Sequence, residues 1–179
     1  MRLYKLQDGI YFSKDKRLSL NNEKNQEVGF IRREDISGYE KKHVFSYTSF
    51  DEQSKVIVGI KKSGFTRLIM AKYGVITKDH EYELKDRLGN SILYFCVTGV
   101  LDNKEILIEE NWERDIEIKV EKEIVAYIRK KKSDLLAFFQ FEDQTEENSL
   151  IFSVIILMYF MIKIYNQETE FIEGVVQIE

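Results

Sequence analysis

From Leu150 to Ile162 the chain reads "LIFSVIILMYFMI", thirteen residues of which only Ser153 is neither apolar nor aromatic. As a helix this segment has no polar face, so it must lie in a membrane or be walled in by protein. A membrane span needs about 20 apolar residues for a hydrocarbon core of about 30 Å. Extended through Ile164 and Tyr165 the segment reaches roughly 25 Å, and Lys163 can snorkel, so length leaves both choices open. The flanks favour burial. Upstream, "FEDQTEEN" holds four acids and no base; downstream, "NQETEFIE" is also acidic, leaving only Lys163 for a positive-inside signal. The expectation is a buried helix over about 149–166, with a C-terminal membrane anchor as the alternative.

A helix without a polar face needs walls all round, and most of the remaining chain reads as short strands. "DIEIKVE" alternates Ile116, Ile118 and Val120 with Glu117, Lys119 and Glu121, which puts one face inward and one in water. "VFSYTSF", "KVIVGIKK", "SILYFCVTG", "KEILIEE", "EIVAYIRK" and "LLAFFQF" are rich in β-branched and aromatic residues, and clusters of Gly, Asn, Asp and Lys separate them. Such spacing predicts a mainly β sandwich or barrel, and a closed barrel supplies the walls. Three stretches share one grammar of strand, polar turn and strand: 18–33, 82–97 and 116–131. The residues 167–179 either add an edge strand or form a partner-binding tail.

Composition narrows the function classes. The net charge of −4 gives no global electrostatic case for nucleic acid. With one cysteine, Cys96, no internal disulfide forms. "MRLYKLQDGIYFSKDKR" contains no apolar run of signal-peptide length, so the expected location is the cytoplasm. With no proline in the chain, Pro-rich linkers are ruled out.

"DKRLSLNNEKNQEVGFIRR" (15–33), "YELKDRLGNSILYF" (82–95), "IEIKVEKEIVAYIRKK" (116–131) and the helix "SLIFSVIILMYFMIKIYN" (149–166) occur in an order that resembles the tubby C-terminal-like superfamily. That superfamily takes in tubby proteins, phospholipid scramblases, LURP-one-related proteins and the small tubby-like proteins of Firmicutes, the last being most similar. The resemblance covers about residues 1–166. It implies a closed antiparallel barrel of about twelve strands with one central hydrophobic helix. Tubby proteins bind phosphoinositide head groups through a basic patch, and scramblases act on phospholipids at membranes. The functional residues of neither map onto this sequence, and fold does not fix function. The continuation "ETEFIEGVVQIE" departs from the family, which ends near the helix.

Candidate binding residues lie at strand ends. "YIRKKK" places Arg129, Lys130, Lys131 and Lys132 in a row; Lys61 and Lys62 close "KVIVGIKK"; Arg32 and Arg33 close "VGFIRR". On one rim they form an anion- or lipid-binding patch, each cation contributing about 1 kcal/mol near an anionic leaflet; separately they are solvated residues that protect strand edges. Trp112, the only tryptophan, is a strand-edge anchor or a binding aromatic. Asp79, Glu81 and Glu83 alternate with His80 on an extended chain and so do not converge on a metal. Cys96 sits in an apolar strand without a base to activate it, and no phosphate-binding glycine pattern occurs. The reading is a non-enzymatic, cofactor-free and metal-free barrel, peripheral at anionic phospholipid. The alternative is a protein-interaction module that captures a partner through 168–179.

Overall fold

The computed structural model describes residues 1–7, 12–62, 64, 70–87, 94–130 and 136–176, with side chains except at Lys130 and 171–176. Twelve strands precede one helix. They are β1 (Arg2–Gln7), β2 (Leu18–Asn22), β3 (Glu27–Arg33), β4 (Tyr39–Ser49), β5 (Lys55–Lys61), β6 (Lys72–Ile76), β7 (Glu81–Asp86), β8 (Cys96–Leu101), β9 (Lys104–Glu110), β10 (Ile116–Val120), β11 (Glu123–Lys130) and β12 (Leu136–Phe141); α1 spans Leu150–Val176. Each strand pairs antiparallel with the next, and β1 closes the ring on β12 from Arg2↔Phe141 to Gln7↔Leu136. The expected closed barrel around a central apolar helix is the observed fold.

Period-two patterning turns one side chain in two inward. Val56, Val58 and Ile60 on β5, Ile106 and Ile108 on β9, and Phe139 and Phe141 on β12 are all buried against α1 in one core. Every residue of α1 from Phe152 to Ile162 is at most 1% exposed, so the helix is enclosed on all faces. Aromatic rings key it to the wall: Phe160 stacks on Phe45 at 4.5 Å, Tyr159 meets Phe139 edge-on at 5.6 Å, and Phe152 sits among Tyr4, Tyr47 and Phe141. Ser153 is tolerated there because its hydroxyl donates to the Ser149 carbonyl at 2.9 Å. The helix is capped by Ser149, whose Oγ accepts from the Phe152 amide at 3.2 Å.

Two expectations change. Rather than ending near 166, the helix continues to Val176, so 168–176 add no strand. A helix nucleated by eleven consecutive enclosed residues extends at the low cost of propagation, and no proline interrupts it. The three hairpin-like units are not equivalent either. Units 18–33 and 116–131 are matching hairpins, β2–β3 and β10–β11. Both have a register shift just after the second inward residue, Leu20 or Ile118, and both set a small residue opposite it, Gly29 or Ala126. Unit 82–97 instead spans β7, a connection and the start of β8, at the other end of the barrel.

The end where odd-numbered strands begin, here the lower end, is closed by tight turns and by the segment 142–149 that leads into α1. Side chains from the wall tie that segment down. Arg2 donates to the Thr145 carbonyl, Tyr4 to Glu147, Tyr47 to Asn148 Oδ1 at 3.1 Å, and Ser54 to the Asn148 carbonyl at 3.3 Å.

Gly29 faces a tight part of this wall. A Cβ there would meet the Thr48 carbonyl oxygen at 2.6 Å as well as the Tyr47 ring. A backbone oxygen in a ladder cannot step aside, so Gly29→Ala is expected to destabilise the protein by about 1–3 kcal/mol. A lower chemical-denaturation midpoint with an unchanged slope checks this.

Candidate anion-binding rim

Because the strands alternate in direction, the C-terminal ends of β3, β5 and β11 all lie at one end of the barrel. Arg32–Arg33, Lys61–Lys62 and Arg129–Lys130 therefore share the upper end. Round the wall, however, β11 stands four strands from β3, about 19 Å at a strand spacing near 4.8 Å. The upper end thus has two basic corners. Lys131 and Lys132 fall outside the described residues, as does the side chain of Lys130.

The first corner joins 12–17, 32–42 and 62. Lys14 bonds Asp35 at 2.7 Å, and that bond holds the Asp35 carboxyl below its ordinary range, helped by the nearby charges of Lys41 and Lys62. Arg32 and Arg17 both place a guanidinium over the Phe30 ring, at 5.0 and 4.8 Å, and Arg17 is also ion-paired with Glu27 at 3.3 Å. Lys62 is exposed and makes no ion pair among the described residues. Lys14, Arg17 and Lys41 escape sequence reading, because only strand closure carries 12–17 and the register break before Val44 beside the end of β3.

Two predicted residues leave the patch. The Lys61 ammonium lies along the barrel wall between Glu81 at 2.9 Å and Glu83 at 3.3 Å. Its bond to Glu81 raises the lysine's pKa, and both carboxyls are held below their ordinary range. Tyr39 lies over Gly59 and reaches the same Glu81 at 3.0 Å; burial and that bond push its hydroxyl up to about 12. Arg33 points inward: its Nη1 donates to the Phe12 carbonyl at 3.2 Å, and its Nε is buried without a partner.

At the second corner Arg129 is half exposed, pairs with Asp115 at 3.2 Å and lies over the Tyr127 ring at 5.6 Å. The lower end has the opposite character. Its segment 142–149 carries Glu142, Asp143, Glu146 and Glu147 without a base, and its turns add Asp51, Glu52 and Asp102. The strand connections are thus unevenly charged along the barrel axis, basic strand ends above and the acidic segment 142–149 below, while α1 carries Glu168 and Glu170 toward the upper end.

Among the described residues no group of three His, Cys, Asp or Glu side chains is placed to hold a metal ion. His80 lies in the β6–β7 turn at the lower end, and Cys96 is buried. No protein-family profile, curated protein or solved structure matches the chain.

Asp86, at the upper end of β7, is the one buried carboxylate among the described residues. It accepts from the Ala71 amide at 2.8 Å and the Tyr73 hydroxyl at 3.1 Å, yet burial raises its pKa above the ordinary value of 3.8. The fold thus prefers the protonated acid, and stability is lost as pH rises from 3.8 through the raised value. Asp86→Asn cannot ionise, so its stability relative to wild type should rise across that window. Denaturation midpoints measured from pH 3 to 7 check this; a constant difference means that Asp86 does not titrate there.

Proposed function

We propose that this chain is a non-catalytic, tubby C-terminal-like barrel that docks on anionic phospholipid from the cytoplasmic side, using the cations at its upper end. The observation that carries the reading is the gathering of basic strand ends at one end of the barrel. Antiparallel closure gathers Arg32, Lys62, Arg129 and the lysines of 12–17 and 41–42 at one end, while the acidic segment 142–149 occupies the other. A charge-segregated molecule orients in the field of an anionic surface even when its net charge is negative. The resemblance to a lipid-associated superfamily supports the same reading, as does the enclosure of α1, which leaves the barrel a peripheral rather than a spanning partner of the bilayer.

A second reading, a protein-interaction module, is favoured by the continuation of α1 to Val176, twelve residues beyond Ile164, the last buried one among those with described side chains. Deleting 168–179 separates the two. The deletion removes four acids and no base, taking the net charge from −4 to zero. Lipid docking predicts tighter vesicle binding by the truncated protein; a partner-capturing tail predicts loss of a bound protein with vesicle binding unchanged.

The direct test is co-sedimentation with equimolar phosphatidylglycerol–phosphatidylcholine vesicles at low salt. Binding is expected to weaken as salt rises. The combined variant R32Q/K62Q/R129Q/K131Q/K132Q should bind at least a hundredfold more weakly, at about 1 kcal/mol per cation. Equal binding by the variant, or no binding by the wild type, removes the reading.

A further inference from the structure

Trp112 stands at the tip of the connection between β9 and β10, at the upper end, and is fully exposed. A large aromatic residue wholly in water is the informative kind of exposure, and here the backbone holds it there. The Asn111 amide donates to the Asp115 carbonyl at 2.9 Å, and the Arg114 amide to the Asn111 carbonyl at 3.1 Å. Asn111 Oδ1 accepts from the amides of Glu113 at 2.9 Å and Asp115 at 3.0 Å. Arg114 takes the left-handed conformation, φ 66°, that closes the turn. The indole is thus carried on a preorganised five-residue tip.

The tip adjoins the second basic corner, to which the Asp115–Arg129 ion pair ties it. Acids around the tip are ion-paired: Glu110 with Arg114 at 3.2 Å, Asp115 with Arg129, and Glu109 and Glu117 with the one Lys119 at 2.8 and 2.9 Å. Glu113 makes no ion pair among the described residues. An exposed indole on a hydrogen-bonded turn beside Arg129, with each neighbouring acid except Glu113 held in an ion pair, has the chemistry that partitions to the head-group layer of a bilayer.

Resting on the membrane-docking reading, we infer that Trp112 is the interfacial anchor and that the β9–β12 corner of the upper end is the edge that meets the bilayer. An approach on this corner tilts the barrel axis and keeps the emerging part of α1 to one side of the contact. The first basic corner then steers the protein without entering the head groups.

Trp112 is the only tryptophan, so intrinsic fluorescence reads this position alone. With equimolar phosphatidylglycerol–phosphatidylcholine vesicles its emission should shift to the blue and its quenching by iodide should fall; phosphatidylcholine alone should leave both unchanged. Trp112→Ala should bind the anionic vesicles about tenfold more weakly, or about 1.4 kcal/mol, with an unchanged thermal melt. Trp112→Phe should keep most of the affinity, and Glu113→Gln should increase it. Co-sedimentation without a blue shift, or unweakened binding by Trp112→Ala, overturns the anchor and leaves lipid docking standing. Absence of co-sedimentation overturns both.

Discussion

A helix that is apolar on every face has to be surrounded, and the rest of this architecture follows from supplying that enclosure. An open sheet covers one side of a helix. A closed antiparallel barrel covers all sides and removes the sheet's exposed edges at the same time. Each large side chain so enclosed contributes roughly 1.5–3 kcal/mol relative to exposure, and α1 contributes eleven consecutive buried residues from Phe152 to Ile162. In return the helix fills the barrel. Phe45, Tyr47, Phe139 and Phe141 find their partners on α1 rather than across an empty lumen, so neither helix nor wall has a satisfactory state without the other.

Threading the helix divides the two ends of the barrel by task. The lower end must turn the chain from β12 into the axis within 142–149, and it does so with a polar latch whose acids lie near the helix N-terminus. Arg2 and Tyr4 hold the latch from the wall. The upper end has no such duty beyond letting α1 out. Its connections are free to carry cations and a solvent-facing indole, and the functional reading accordingly attaches to this end.

Much of the fold was legible in the sequence because two periodicities report it without interference: period two in the strands, and unbroken apolarity in "LIFSVIILMYFMI". The hairpins β2–β3 and β10–β11 were legible as strand, polar turn and strand, but their matching bulges and small residues show only in the strand register. The 82–97 unit misled because strand, polar turn and strand look alike whether the turn lies at the upper or the lower end. The helix continuation past 166 was hidden by its mixed composition, which reads equally as strand. The rim was half legible. Sequence names Arg32, Lys62 and Arg129, but cannot know that Gly59 and Gly74 make room for Tyr39 to reach Glu81, or that Lys61 turns to the same acid. Nor can it foresee that Arg33 turns inward, or that Lys14 and Lys41 join the cluster. Trp112 was visible as a residue; its full exposure and its place beside Arg129 needed the closed ring.

Hydrogen exchange in detergent-free buffer, resolved along α1 and the strands, tests the enclosed helix most directly. The amides of 152–162 should exchange only through global unfolding, with the same free energy as the centres of β5 and β12. Exchange of the helix amides far faster than those strand centres, or a protein that stays in solution only with detergent, would contradict it and place "LIFSVIILMYFMI" in the lipid.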